Sequence, residues 1–162
     1  MSRPSAVVLT VSDSVASGRR EDLSGPAVKA ALQKHFQLTK VEVVADDYAG
    51  LEAALRRLAG EADLVVTTGG TGIAERDVTP EATRSVCSRL LDGVSERMRA
   101  EGAKKTPFAA LSRAVCGACG RSLILNLPGS PKGAVESLAA VIDLLPHALD
   151  LLRGKTEHSA AR

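Results

Sequence analysis

Residues 67–83, TTGGTGIAERDVTPEAT, place a glycine-rich loop between the end of an apolar segment and the start of a helix. Residues 64–68 (LVVTT) are typical of a strand that is buried on both faces. Thr79 and Pro80 are typical of a helix start, with threonine predicted as the N-cap and proline in the first turn. A strand that leads into a helix in this way predicts an α/β unit.

The same alternation of strands and helices continues along the chain. Further strands are predicted at residues 5–12, 41–44 and 122–127. Helices are predicted after Ser24 as N-cap, around residues 51–60, at 94–101 and from 130 onward, the last with a bend or break near Pro146. We therefore predict a three-layer α/β/α domain, residues 1–154, around a mostly parallel, mixed sheet. The polar residues 155–162 are expected to form a disordered tail.

Composition excludes several classes of protein. The chain has no Trp, one Tyr and two Phe, and its net charge is only +2. These values argue against a nucleic-acid-binding surface, which needs a basic patch and aromatic stacking platforms. No apolar run approaches the length of a membrane span, and the N-terminus lacks the pattern of a secretory signal. With an odd number of cysteines, three, a cytoplasmic location is expected.

Polar loops follow the predicted strands at four places. They are Ser12-Asp13-Ser14, Asp46-Asp47, the GGTG loop and residues 126–132 (NLPGSPK). Because ligands of open parallel sheets bind beyond the carboxyl ends of the strands, these loops are expected to meet in one site.

The GGTG loop, which comprises Gly69, Gly70, Thr71 and Gly72, is a candidate phosphate cradle. Glycine lets the backbone come close to a ligand and point several N–H groups at it, and the helix that starts near Thr79 adds a partial positive charge. A tight strand-to-helix turn is the alternative interpretation. The loop matches neither a P-loop nor a GxGxxG fingerprint.

Charged residues near these loops could complete a site for phosphate chemistry. Asp77 and either Asp46 or Asp47 could share a hydrated Mg²⁺, although acidic residues are also common in solvated loops. Lys104, its neighbour Lys105 and Arg113 could neutralise phosphate, or could form an ordinary basic surface. Phosphoryl transfer needs little beyond such positioning and charge neutralisation.

The spacing of Cys116 and Cys119 is that of a redox pair, but the flanking residues of a thioredoxin site are missing. No second cysteine pair is present to complete a zinc site. We interpret both residues as small packing side chains beside a strand.

Taken together, five ordered segments resemble the Mog/gephyrin-G family of molybdenum cofactor biosynthesis. They are residues 9–14 (LTVSDS), 22–26 (DLSGP), 64–83 with TTGGTG and RDVTPEAT, 106–113 (TPFAALSR) and 123–131 (LILNLPGSP). The resemblance runs from about residue 7 to residue 154, and it implies a three-layer α/β/α fold that assembles as a homotrimer.

The resemblance also implies an activity. Members of this family use ATP and Mg²⁺ to adenylylate the terminal phosphate of molybdopterin, releasing pyrophosphate, and the molybdopterin-AMP passes to a separate molybdenum-insertion protein. The family's catalytic, metal-binding aspartates match Asp46 and Asp77. Its substrate-binding positions match the GGTG loop and Ser12, Asp13, Thr79, Lys104, Ser112, Arg113, Asn126, Pro128 and Gly129.

Three alternatives share features of this pattern. A MoaB-like paralogue could bind molybdopterin without the transfer reaction, but its segment after GGTG differs from Arg76-Asp77. A nucleotide-hydrolysing relative found in competence-damage proteins would carry different first and third loops. A non-catalytic oligomeric scaffold is the third alternative, and the presence of Asp46 and Asp77 argues against it.

Overall fold

The computed structural model describes residues 2–155, which form a six-stranded sheet covered by helices on both faces. The strands are β1 (Ser5–Val11), β2 (Gln37–Val44), β3 (Leu64–Thr68), β4 (Arg89–Leu90), β5 (Cys116–Cys119) and β6 (Ser122–Leu127). The α-helices are α1 (Asp13–Ala16), α2 (Ser24–Leu32), α3 (Tyr48–Glu61), α4 (Thr79–Val86), α5 (Asp92–Ala103), α6 (Pro131–Val141) and α7 (Leu145–Leu152). Two short 3₁₀ segments are Pro107–Leu111 and Ile142–Leu144.

The strands lie in the order β2-β1-β3-β6-β5-β4. The first four run parallel, whereas β5 pairs antiparallel with β6, and β4 pairs antiparallel with β5. This confirms the predicted α/β class with a mostly parallel, mixed sheet. The chain passes from β1 outward to β2 and then returns to β3 on the other side of β1. The resulting switch point between β1 and β3 is where ligands of such sheets bind.

Alternate residues of the central strands face opposite layers of helices. In β1, Ala6 and Val8 pack in a cluster with α2, α5, α6 and α7, while Val7 and Leu9 pack in a second cluster with α3 and α4. All four side chains are fully buried. Because both faces of the sheet are covered at its centre, strands β1, β3 and β6 are nearly continuous buried runs that end at the polar loops.

The two predicted threonine and serine caps are wrong. Ser24 and Thr79 are the first residues of α2 and α4, one position after the N-cap. The amide of Gly25 donates instead to Asp22 Oδ1 at 2.9 Å. The Thr79 hydroxyl donates to the carbonyl of Gly69 at 2.9 Å, because the helix start is packed directly under the glycine loop.

Other element boundaries also differ from the prediction. The predicted strand at residues 41–44 begins already at Gln37. The long helix predicted from residue 130 is interrupted, as expected, but at Ile142–Leu144, slightly before Pro146. Strands β4 and β5 were not predicted. The small residues of β5 (CGAC) have little intrinsic strand preference, so pairing with β6 decides their conformation.

The C-terminal end of the described chain rests on α7. The amide of Lys155 donates to the carbonyl of Asp150 at 3.0 Å. The rest of the predicted disordered tail, residues 156–162, lies outside the described residues. Within residues 2–155, no helix is long and apolar enough to cross a membrane.

Candidate functional site

Two cavities adjoin at the carboxyl ends of the parallel strands. The first, called here the polar cavity, encloses about 430 Å³ beside the ends of β1, β2 and β3. The second, called the apolar cavity, encloses about 700 Å³ between α5, α6 and the 3₁₀ segment Pro107–Leu111. Both are lined by Gly70, Asp77, Gly129 and Ser130. A ligand that spans both cavities must therefore pass the glycine loop and Asp77.

The glycine loop has a backbone conformation that side chains disfavour. Gly69 and Gly70 have positive φ angles of 105° and 70°. A Cβ on Gly69 would overlap the carbonyl oxygen of Val11, and one on Gly70 would overlap Thr79 Oγ1. Glycine is thus needed for the turn itself and also for the close approach of β1 and α4.

The amides of this loop are available to a ligand. Gly69 N donates to the carbonyl of Leu127 at 3.1 Å. The N–H groups of Gly70, Thr71 and Gly72 donate to no acceptor within residues 2–155. Three adjacent backbone donors beside a cavity form the type of nest that binds phosphate oxygens. The predicted cradle is therefore sterically and chemically possible.

Asp13 and Asp46 hold the ends of β1 and β2 together. The amide of Asp13 donates to Asp46 Oδ2 at 3.0 Å, and the amide of Asp46 donates to Asp13 Oδ1 at 2.8 Å. Both carboxylates line the polar cavity. Burial raises the pKa of Asp46 above its usual 3.8, and the negative charges of Asp13 and Asp77 raise it further.

Asp77 reaches the junction of the cavities from the far end of the loop. Its Oδ2 accepts the Ala74 amide at 3.0 Å, and the Asp77 amide donates to the carbonyl of Ala74 at 2.9 Å. A Cβ on Gly72 would lie 2.8 Å from the same Oδ2. The loop thus folds back on itself and places the carboxylate against the glycines.

The carboxylates of this site fit a divalent cation that has further ligands. Asp13, Asp46 and Asp77 line one cavity, and the raised pKa of Asp46 reflects their mutual repulsion as well as burial. Across residues 2–155, however, no three His, Cys, Asp or Glu side chains are grouped closely enough to hold a metal ion alone. Mg²⁺ usually takes only one or two carboxylates, with waters and substrate phosphates as its other ligands.

The raised pKa of Asp46 predicts that Asp46→Asn stabilises the fold. Because burial and repulsion raise the folded-state pKa, the ionised carboxylate lowers the free energy of unfolding. This penalty is present at pH 7 and disappears below the ordinary value of 3.8, where the carboxyl is protonated in both states. Urea unfolding should show a gain for the variant at pH 7 that shrinks as the pH falls.

The adjacent Asp47 provides the control for this measurement. It is exposed, and its carboxylate caps α3 by accepting the Gly50 amide at 2.8 Å. Asparagine is also a good N-cap, so Asp47→Asn should leave the stability at pH 7 nearly unchanged. A loss of stability in Asp46→Asn at pH 7 would contradict the electrostatic argument.

Most of the residues predicted for the site line the two cavities. The polar cavity is lined by Ser12, Asp13, Asp46, Gly69, Gly70, Asp77 and Gly129. The apolar cavity is lined by Gly70, Thr71, Gly72, Asp77, Ser112, Pro128 and Gly129. The four polar loops predicted to converge therefore do so at one edge of the sheet.

Four predicted residues line neither cavity. Asn126 is fully buried, with its amide donating to Thr67 Oγ1 at 3.1 Å and Thr83 Oγ1 at 2.9 Å. Lys104 is largely exposed and pairs with Glu101 at 2.9 Å. Thr79 is buried beneath the glycine loop. The Arg113 guanidinium donates to the carbonyl of Gly72 and to the Glu81 carboxylate. Contact of these four side chains with substrate stays a prediction.

Of the cations that line the cavities, Arg76 and Lys105 were noted in the sequence, whereas Arg19, Arg20 and Arg99 were not. Arg19, Arg20 and Arg76 line the polar cavity, and Arg99 and Lys105 line the apolar one. The first two belong to the charged segment after α1, directly downstream of Ser12 and Asp13. Their closeness in sequence to a predicted strand-end loop was a signal that could have identified them.

The three cysteines have the character of packing residues. Cys116 is buried in the cluster under α5 and α6, whereas Cys119 packs toward the opposite cluster, so the two do not share a face. Burial raises the pKa of Cys87 to about 11 and that of Cys116 to about 12. The structure therefore favours the packing interpretation over a redox pair.

The raised thiol pKa values predict slow alkylation in the folded protein. At pH 7 the reactive thiolate should amount to about one part in ten thousand for Cys87, and less for Cys116. Iodoacetamide labelling followed by peptide mass spectrometry should show both sites protected in buffer and labelled in urea. Rapid labelling of either residue in buffer would disprove this assignment.

Comparison with known proteins identifies a family for this chain. Residues 7–147 match the family model described as "Probable molybdopterin binding domain". This span contains nearly all of the six-stranded sheet and every residue predicted for the site.

Several relatives match over most of their own length. The molybdopterin adenylyltransferase of Helicobacter pylori strain J99 is 45% identical over 91% of this chain and 86% of its own length. The molybdopterin adenylyltransferase of Escherichia coli K12 is 38% identical over 91% of this chain and 84% of its own. The crystal structure of the molybdopterin biosynthesis enzyme MoaB from Thermus thermophilus superposes with a TM-score of 0.88. It is 49% identical and covers 94% of this chain and 98% of its own. The chain therefore belongs to the molybdopterin-binding domain family of molybdenum cofactor biosynthesis proteins.

Proposed function

We propose that this protein transfers the adenylyl group of ATP to molybdopterin in a Mg²⁺-dependent reaction, forming molybdopterin-AMP and pyrophosphate. One observation carries the proposal. The carboxylate of Asp77 and the free amides of the glycine loop lie where a polar and an apolar cavity meet, an arrangement that fits the transfer of an adenylyl group from a triphosphate to a ring-bearing phosphate acceptor. The names of the relatives at 45% and 38% identity support the same reaction.

The reacting phosphates would meet at the junction of the cavities. A phosphate oxygen of molybdopterin attacks the α-phosphorus of ATP, and the bond from that phosphorus to the pyrophosphate oxygen breaks. The protein supplies no covalent nucleophile. The N–H groups of Gly70, Thr71 and Gly72 bind phosphate oxygens and keep the attacking and leaving oxygens in line.

Asp46 and Asp77 would hold the metal, with the remaining ligands from phosphates and water. When bound there, Mg²⁺ neutralises the triphosphate and the charge that develops on the leaving pyrophosphate. Arg19, Arg20 and Arg76 line the same cavity and add positive charge beside the leaving group. A cation held there would relieve the carboxylate repulsion that contributes to the raised pKa of Asp46.

The apolar cavity suits a planar heterocycle. Its volume of about 700 Å³ lies in the range of small-molecule sites, and its wall is formed largely by apolar parts of α5, α6 and the Pro107–Leu111 segment, including the Phe108 ring. Pro128 and Gly129 form a stiff corner between this cavity and the glycine loop. A Cβ on Gly129 would lie 3.3 Å from Gly69 Cα, so this corner has little space for side chains.

The direct test is incubation of the purified chain with ATP, molybdopterin and Mg²⁺. We expect pyrophosphate and a molybdopterin-AMP product in equal amounts, and neither when molybdopterin is omitted or when EDTA is present. Binding of molybdopterin without any pyrophosphate would favour a MoaB-like binding role. Pyrophosphate release without molybdopterin would instead favour nucleotide hydrolysis.

The family resemblance extends the proposal to the oligomeric state of the protein and to the fate of its product. We expect a homotrimer, which light scattering measures, and delivery of molybdopterin-AMP to a separate molybdenum-insertion protein. A cytoplasmic location is likewise expected.

A further inference from the structure

The guanidinium of Arg113 is hydrogen-bonded to the glycine loop and to α4. Its Nε donates to the carbonyl of Gly72 at 2.8 Å, and its Nη2 donates to the carbonyl of Asp77 at 2.8 Å. Its Nη1 donates to both carboxylate oxygens of Glu81, at 2.8 and 2.9 Å. The Arg113 amide adds a bond to the carbonyl of Thr71 at 2.9 Å. One residue thus binds the loop at three points.

All three nitrogens of the Arg113 guanidinium already donate hydrogen bonds to groups of this chain. Arg113 and Glu81 line neither cavity. The residues on either side of Arg113, Ser112 and Ala114, both line the apolar cavity. Glu81 also neutralises the positive charge of the guanidinium. A phosphate would have to displace a carboxylate and two carbonyl groups to bind there.

The contacts fix both ends of the segment that carries the carboxylate of Asp77. Gly72 and Asp77 are the first and last residues of a loop whose centre is closed by the bond from the Ala74 amide to Asp77 Oδ2. Because Arg113 binds the carbonyls at both ends, it sets the distance between them. A planar guanidinium can do this, whereas an ammonium group cannot make the same set of bonds.

We propose that Arg113 and Glu81 form a positioning pair that holds Asp77 at the junction of the two cavities and does not bind substrate. The effect expected on kcat rests on the proposed adenylyl transfer. The pair acts on the reaction only through the loop, so its loss misplaces the Asp77 carboxylate and leaves the remaining walls of the two cavities in place.

Kinetics distinguish positioning from substrate binding. Arg113→Ala and Glu81→Ala should each lower kcat about 10- to 100-fold, with KM for ATP within about threefold of wild type, because misplacing a reacting group mainly slows the chemical step. The kcat of the double variant should be no lower than that of the slower single variant, since both substitutions disrupt the same ion pair. Arg113→Lys should be nearly as slow as Arg113→Ala.

The opposite kinetic pattern would overturn the proposal. If Arg113 bound phosphate, KM for ATP would rise, Arg113→Lys would keep most of the activity, and Glu81→Ala would be harmless. The control pair is Arg57 and Glu42, which form a similar two-pronged ion pair with bonds of 2.7 and 3.2 Å on the outer side of α3 and β2. Arg57→Ala and Glu42→Ala should leave kcat unchanged.

A second measurement does not depend on activity. Hydrogen exchange of the Ala74 amide reports whether Asp77 Oδ2 still accepts it, and this exchange should speed up at least about tenfold in Arg113→Ala and Glu81→Ala. Unchanged exchange in both would disprove the positioning role. If a substitution to alanine prevents folding, Arg113→Lys and Glu81→Gln replace it in the same comparison. If the wild type transfers no adenylyl group, the proposed function fails, and the exchange measurement alone decides whether the pair holds the loop.

Discussion

Replacing Asp77 with asparagine is expected to lower adenylyl transfer by about 100-fold or more while the protein stays folded. The Asp77 carboxylate lines both cavities and lies against the glycine loop, so it is the charge that the reacting phosphates and their metal would meet. Asparagine has nearly the same shape, and its carbonyl oxygen can still accept the Ala74 amide that Asp77 Oδ2 accepts at 3.0 Å. The loss should therefore come from charge and not from loop structure.

The measurement is pyrophosphate release with saturating ATP and molybdopterin over a range of Mg²⁺ concentrations. The variant should need more Mg²⁺ as well as turn over more slowly, whereas a purely structural defect would not shift the Mg²⁺ dependence. Asp47→Asn is the matched control, since Asp47 is exposed and lines neither cavity. Full activity in Asp77→Asn at the same Mg²⁺ concentration would remove Asp77 from the proposed metal site.

Gly70→Ala is expected to lower the free energy of unfolding by about 3 kcal/mol and to abolish transfer. Two physical effects add together. The φ angle of 70° disfavours any side chain, and the new Cβ would overlap Thr79 Oγ1 at the start of α4. Relief of that overlap requires α4 to move away from the loop, which would break the bonds from the Thr79 hydroxyl to Gly69 and from the Thr79 amide to Gly70.

Gly18→Ala separates these two effects. Gly18 has a similar φ angle of 77°, but a Cβ there would meet no atom within 4 Å. It should cost only about 1 kcal/mol, the backbone part of the penalty. Chemical unfolding of both variants gives the steric part by difference. Addition of Thr79→Ala should recover some stability in Gly70→Ala, because it removes the overlapping hydroxyl, and strictly additive losses would argue against this contact.

Several features of the site were readable in the sequence because they depend on short-range patterns. The strand at Leu64–Thr68 is marked by β-branched residues, and the turn that follows it is marked by three glycines. The acids Asp13, Asp46 and Asp77 follow the ends of β1, β2 and β3, and parallel strands bring such ends together. The location of the site therefore followed once the alternation of strands and helices was recognised.

The roles of individual side chains were less accessible. Lys104 and Lys105 are neighbours in a basic pair, yet only Lys105 lines a cavity, because successive residues of the turn after α5 point their side chains in different directions. Asn126 is the penultimate residue of β6. Successive residues of a strand point to opposite faces of the sheet, but the sequence does not show whether Asn126 or Leu127 faces the site. The fold buries Asn126 as a polar link between β3, α4 and the chain at Val115.

The amino-acid sequence by itself determined the α/β alternation, the glycine turn and the edge of the sheet at which the polar loops meet. These follow from local propensity and from hydrophobic period, which act over a few residues. Only the tertiary structure decided that Thr79 lies under the glycine loop, that β5 pairs with β6, and that Arg113 is bound by Glu81 and the loop. Arg113 and Glu81 are 32 residues apart, and no local sequence pattern indicates which distant carboxylate an arginine side chain will contact. Packing of the whole chain makes that choice, because each buried or bridging polar group must find its partner where the fold has placed one.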